Sequence, residues 1–205
     1  MTVGPNEVSR YPIPASYPRC AGAVSSCHAH PNPEYHMTYD IRQSRADDLP
    51  LLADIERAAG ALFAEAGIGE VDLDDVAELR FVESVARAAG VFVATKDNKP
   101  VGFILAAPLD VHLHIYELSV HPDHGRQGLG RRLVERVCEA AAARGFKAVT
   151  LSTFIDVPWN GPFYASCGFR ILEPTEWTPA LYLAHYREEE MGLPLERRCF
   201  MRRDL

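Results

Sequence analysis

Residues 117–130 read ELSVHPDHGRQGLG. An apolar strand, Ile115 to Val120, runs into a His121-Pro122-Asp123-His124 turn. A glycine-rich loop, Gly125-Arg126-Gln127-Gly128-Leu129-Gly130, then opens a long helix. The first amides of a helix lack intrahelical acceptors and carry the positive end of its dipole, and glycines let an anion approach that backbone closely. The stretch therefore predicts an anion cradle at a strand-to-helix junction. Its glycine order is the reverse of the GxGxxG of dinucleotide folds, and no Lys-Ser or Lys-Thr follows as in a Walker loop. By itself such a loop also fits a tight turn with ordinary helix packing.

Working outward, strand and helix signals alternate. Tyr39–Arg42 reads as a first strand. Residues 46–66 read as a helix with Leu49, Leu52, Ile55, Ala59, Leu62 and Phe63 on one face, broken at Gly67-Ile68-Gly69. A second helix is expected over 74–89, with Gly90 as its stop. Strands follow at 91–95, 101–107 and 112–120, the first two joined by an Asp97-Asn98-Lys99 turn. The helix after the glycine loop spans 128–144 and the next strand 147–153. A short helix at 160–167 takes Asn160 as N-cap and Pro162 in its first turn. A strand at 168–172, a helix at 178–191 and a last strand at 197–203 complete a mixed α/β domain.

The 205 residues are 47% hydrophobic and 24% charged, enough for one domain with a full core. Residues 1–36, punctuated by Pro5, Pro12, Pro14, Pro18, Pro31 and Pro33, read as a flexible Pro-rich extension ahead of a single domain over 37–205. Met37 offers an alternative start. Cys20, Cys27, His28, His30 and His36 match no standard zinc spacing, and no metal is expected. No apolar run approaches the ~20 residues of a membrane helix, and no secretory signal is visible. Five scattered cysteines suit free thiols in a cytoplasmic protein. A net charge of −7 argues against nucleic acid as a partner; it fits a cationic substrate such as an amine, and fits plain solubility equally.

From Tyr39 to Leu205 the chain resembles the GNAT superfamily of acyl-CoA-dependent N-acyltransferases. Four pieces in order carry the resemblance: Tyr116-Glu117-Leu118-Ser119-Val120-His121-Pro122, the loop Gly125–Gly130, Gly145-Phe146-Lys147-Ala148-Val149-Thr150-Leu151, and Phe163-Tyr164-Ala165-Ser166-Cys167-Gly168-Phe169. The resemblance implies a mixed, strongly twisted sheet of about six or seven strands flanked by helices and splayed between its fourth and fifth strands. It implies acetyl-CoA as cosubstrate, with the backbone of Leu118, Ser119 and Val120 pairing with pantetheine and the Val120 N–H polarising the thioester carbonyl. Backbone groups of Arg126, Gln127, Gly128, Leu129 and Gly130, with Arg131 next in line, would hold the pyrophosphate. Asn160 falls near the cofactor arm, unless it serves only as a cap.

Tyr164 matches the family's candidate general acid; the plain alternative is an aromatic anchor beside Phe163 and Phe169. A phenol of pKa ~10 stays protonated at neutral pH and can protonate a leaving thiolate. Glu117 is the candidate base or substrate contact, unless it forms a salt bridge at the sheet edge. Strand alternation places it on one face with Leu113 and Ile115, opposite His112, His114, Tyr116 and Leu118. His114 is the rival base. Trp159 would wall an acceptor pocket or cover the core. Cys167 as a nucleophile lacks a base in reach. The loop departs from the family at Gly125, where Gln or Arg is common, which leaves Arg126, Arg131 or Arg132 to supply the positive charge. The expected activity is transfer of acetyl to a primary amine in a ternary complex. A small molecule is the first expected acceptor and a protein N-terminus or lysine the second. A non-catalytic acyl-CoA-binding or sensing module is the competing reading. Pairing through the last strand would make a homodimer.

Overall fold

The computed structural model describes residues 38–65 and 76–205. The extension of residues 1–36, its Cys and His residues, and the break at Gly67-Ile68-Gly69 lie outside them.

Among the described residues, seven strands form one mixed sheet in the order β1-β2-β3-β4-β5-β7-β6. The strands β1 (Asp40–Gln43), β2 (Val91–Lys96), β3 (Lys99–Leu109) and β4 (His112–Val120) form an antiparallel meander. Its β2–β3 hairpin turns at Asp97 and Asn98, both left-handed at φ 49° and 66°, as a tight primed turn requires. The helix α3 (Leu129–Ala143) then carries the chain to β5 (Ala148–Phe154), parallel to β4. After α4 (Gly161–Ser166) and β6 (Arg170–Ile171), the helix α5 (Pro179–Glu190) leads to β7 (Arg198–Asp204). That last strand inserts antiparallel between β5 and β6.

The single helix expected over 46–66 is two pieces: a 3-10 segment, Ala46–Leu51, and α1 (Leu52–Glu65). Pro50 lies inside the first piece; it has no N–H to give and its ring crowds the preceding turn. Among the described residues, the helix expected from 74 begins only at Leu79, as α2 (Leu79–Arg87).

The sheet divides two cores. On one side Ile104, Ala106, Leu113 and Ile115 meet Leu133, Val134 and Val137 of α3 together with Tyr164 and Phe169. On the other, Val91, Val93, Phe103 and Leu105 meet Leu52, Ile55, Val82 and Val85.

Two irregularities of β4 create the site. Its pairing with β5 runs only from Leu113↔Val149 to Ile115↔Leu151. Beyond that point Leu118, Ser119 and Val120 pair with Ile104, Phe103 and Gly102 of β3 alone, so the strands part and one backbone edge is left open. The register with β3 also jumps, from Leu105↔Glu117 to Ala106↔Ile115, making Tyr116 the extra residue of a bulge. The bulge corrects the alternation expected for this strand. Glu117 shares a face with Leu105 rather than with Leu113 and Ile115, while Leu118 and Val120 join the Ile115 side.

Candidate active site

Where β4 and β5 part, a cleft of about 620 Å³ opens. The β4 residues Ile115–Val120 form one wall, and Leu151 to Phe154 of β5 another. Ala59, Leu62 and Phe63 come from α1; Trp159, Asn160, Phe163 and Tyr164 come from the segment entering α4; Gly125, Arg126 and Gly130 come from the glycine loop.

Glu117, half-buried, lines this cleft. Burial pushes its carboxyl above the usual range; the Ser119 Oγ donating to Oε1 at 2.6 Å, the Leu118 N–H and the positive charge of Arg198 act in the opposite direction. The residue lies one position past the bulge, so the bulge aims it. Its expected alternative, a salt bridge at the sheet edge, is not formed: no ion pair to Glu117 occurs among the described residues.

Tyr164 is 8% exposed and belongs both to the cleft lining and to the core. Phe163 and Phe169 meet its ring edge-on at centroid distances of 5.1 and 5.8 Å. Burial, and then the negative charge of Glu117, push its phenol well above the usual tyrosine range. It thus stays protonated at all ordinary pH values, and its ring makes the aromatic contacts of the anchoring alternative.

Val120 supplies an amide. The His121 N–H donates to Val101 of β3 at 2.9 Å. Successive strand amides point to opposite sides, so the Val120 N–H points to the open edge. Gly102↔Val120 pairing on the far side keeps the strand in place.

In the loop, Gly128 caps α3 from a left-handed conformation, φ 72°. The first intrahelical bond runs from Arg132 N–H to the Gly128 carbonyl at 3.1 Å, leaving the amides of Leu129, Gly130 and Arg131 without intrahelical acceptors. A Cβ on Gly128 would meet nothing within 4 Å, whereas one on Gly130 would lie 3.3 Å from the Phe163 ring. Gly128 thus faces open space and Gly130 lets α3 approach α4. Gln127 is exposed, and the side chain of Leu129 is spent in the core at 1% exposure. Arg131 is turned to α4, donating to the Ser166 carbonyl at 2.9 Å and to Ser166 Oγ at 2.8 Å.

Asn160 stands at the N-cap position of α4, yet its side chain makes no cap hydrogen bond and lines the cleft. Trp159, 42% exposed, is a cleft wall that meets Phe63 edge-on at a centroid distance of 6.1 Å, and Val157, two residues earlier, is what fills the core beneath the loop. His114 is buried, bonded through Nδ1 to Thr150 Oγ1 at 2.9 Å, and burial pulls its imidazole down to about 4. It is outside the cleft lining and is a strand histidine with a satisfied partner. Cys167 is buried too, with its thiol raised by burial, and also lies off the cleft.

Arg198 was not legible as a site residue. It opens β7, places its guanidinium 4.7 Å from the Phe154 ring centroid, and donates to Ser152 Oγ at 3.0 Å and to Glu188 at 2.6 Å. Its charge acts on both Glu117 and Tyr164. The only local hint was an arginine heading an otherwise apolar Cys199-Phe200-Met201 run.

A family model described as "Acetyltransferase (GNAT) family" matches residues 61–169. The chain belongs to this family. It is 28% identical over 123 residues to N-acetyltransferase family 8 member 7 of Mus musculus, covering 57% of this chain and 53% of that protein. Against N-acetyltransferase 8 of Homo sapiens it is 30% identical over 105 residues, covering 48% and 45%. The chain thus spans about half the length of the curated relatives it matches. Among solved structures, the PaiA N-acetyltransferase of Thermoplasma acidophilum in complex with coenzyme A superposes with a TM-score of 0.63 at 14% identity, covering 82% of this chain and all of that one. The ribosomal-protein-S18-alanine N-acetyltransferase of Escherichia coli gives 0.57 at 19% identity, with 82% and 94% covered. At these identities the structures establish the GNAT fold.

Proposed function

We propose that the protein is an acetyl-CoA-dependent N-acetyltransferase acting on a primary amine by direct attack. The observation that carries this reading is the end of β4–β5 pairing at Ile115↔Leu151, which opens a free backbone edge between a glycine loop and two cleft residues, the half-buried Glu117 and the buried Tyr164. An elongated cosubstrate fits there: the loop amides suit its pyrophosphate, and the open edge at Leu118–Val120 suits its amide-bearing arm.

An ammonium has no lone pair, so Glu117 accepts the acceptor's proton, directly or through water. Its raised pKa makes it a better base than an exposed carboxylate. The Val120 N–H donates to the thioester carbonyl as negative charge gathers on that oxygen. As the new N–C bond forms and the C–S bond breaks, the Tyr164 hydroxyl gives its proton to the departing sulfur, and the proton shed by the newly acylated nitrogen restores the phenol through solvent. Holding both reactants in one cleft supplies much of the rate. The acceptor side presents the Glu117 carboxylate on a chain of net charge −7, which favours a small cationic amine.

Acetyl-CoA is expected to raise the melting temperature of the purified protein more than NAD or ATP. Thiol release is expected with at least one member of a panel of small amines, lysine peptides and peptide N-termini. No selective shift would remove the cosubstrate assignment. Normal CoA affinity without turnover on any amine would replace the enzyme by a sensing module.

A further inference from the structure

Arg126 is in the left-handed region, φ 57°, where an L side chain crowds its own backbone and glycine is the favoured residue. Its neighbour Gly125 has φ −62°, a value any residue adopts. Glycine and arginine therefore occupy each other's conformationally natural places, and the loop retains a side chain where the backbone resists one. Residues held this way cluster at ligand and active sites.

The other two arginines offered by the sequence are engaged. Arg131 bonds Ser166, and Arg132 donates to the Tyr39 carbonyl at 2.8 Å. Arg126 makes no hydrogen bond or ion pair among the described residues, is exposed, and lines the cleft beside Gly130. Across the rest of the chain the charge balance is acidic, −7 in all, and opposes a polyanionic ligand.

We infer that the Arg126 guanidinium is the cation that pairs with the cosubstrate's pyrophosphate, in place of the polar side chain missing at Gly125, and that the loop backbone is strained to present it. This rests on the cleft being an acyl-CoA site. Arg126 is then an affinity-determining residue whose presence costs stability, and the two effects separate by substitution. Glycine removes charge and strain together; alanine removes the charge and keeps the strain; lysine keeps both.

The test measures equilibrium binding of CoA and of 3′-dephospho-CoA to the wild type and to Arg126→Gly, Arg126→Ala and Arg126→Lys, together with melting of each protein without ligand. Both ligands are expected to bind the Gly and Ala variants about three- to tenfold more weakly than the wild type, and the Lys variant within about threefold. The loss should shrink as salt screens the pair. Without ligand, the Gly variant is expected to melt about 2–4 °C above the Ala variant. Unchanged CoA affinity in the Gly and Ala variants would overturn the role of the charge while leaving the cleft reading intact. A loss confined to CoA would move Arg126 to the 3′-phosphate and overturn the pyrophosphate assignment. Equal melting temperatures for Gly and Ala would remove the strain. A wild type that binds neither ligand would overturn the cleft reading itself.

Discussion

Replacing Tyr164 by Phe removes one oxygen atom from the centre of the proposed chemistry. The ring would stay where Phe163 and Phe169 hold it, at 5.1 and 5.8 Å, inside the α3-side core. No protein group bonds the Tyr164 hydroxyl among the described residues, so no partner is orphaned by its loss. The stability change is therefore expected within about 1 kcal/mol, a shift in melting temperature of no more than about 2–4 °C. Binding of CoA should change by less than about twofold, because the phenol is asked to act only as the sulfur leaves. Loss of a positioned general acid slows a reaction by about 10²–10⁴-fold, or about 3–5 kcal/mol of barrier. Steady-state thiol release, with calorimetric CoA binding on the same preparations, separates these quantities. The wild-type rate should also show no alkaline decline from this group below pH ~10, since its phenol is held above the ordinary tyrosine value. A variant with wild-type kcat would refute the assignment and leave Tyr164 as a core aromatic.

Glu117→Gln should cut kcat by about 10²-fold or more and abolish the acid limb of the pH–rate profile. Because burial raises its folded-state pKa, deprotonation of Glu117 costs stability as pH rises, so the Gln variant should melt no lower than wild type at pH 8; a lower value would show that the charge is stabilising. Ser119→Ala removes the 2.6 Å bond that favours the Glu117 carboxylate, so the acid limb should move to higher pH, and an unmoved limb would mean another group titrates. Gly90→Ala tests the sheet: a Cβ there would lie 2.0 Å from the Ala106 carbonyl oxygen and 2.9 Å from Val85, so thermal melts should show about 3 kcal/mol of destabilisation. An unchanged melting temperature would disprove that close approach of Gly90 to β3.

Most elements were legible because their causes are local. The periodic Leu133, Val134, Val137 and Ala141 drive α3 and its burial, and Asp97-Asn98 makes the β2–β3 turn. Boundaries were less legible where one residue overrules a pattern, as Pro50 does before α1. The face of Glu117 was misread because alternation assumes an unbroken pairing, and a bulge is a property of two strands. Asn160 illustrates the same limit. Its sequence context marks a helix start, but whether its amide caps the helix or faces the cleft depends on what surrounds it.

The sequence alone carried the resemblance to the family and offered the glycine loop and the Glu117 and Tyr164 candidates, because motifs and side-chain chemistry within β4, the loop and α4 are local. Tertiary structure decided which of these meet. Pairing of β4 with β5 ends after three residues, opening the cleft; the Tyr116 bulge turns Glu117 into it; and Arg198 arrives on β7, 81 positions after Glu117, to add a positive charge that acts weakly on both Glu117 and Tyr164. It also left Arg126 as the arginine free to face an anion, since Arg131 and Arg132 are claimed by Ser166 and Tyr39. Such choices depend on which distant partners are within ~3 Å, and a linear pattern of residue types does not contain that distance.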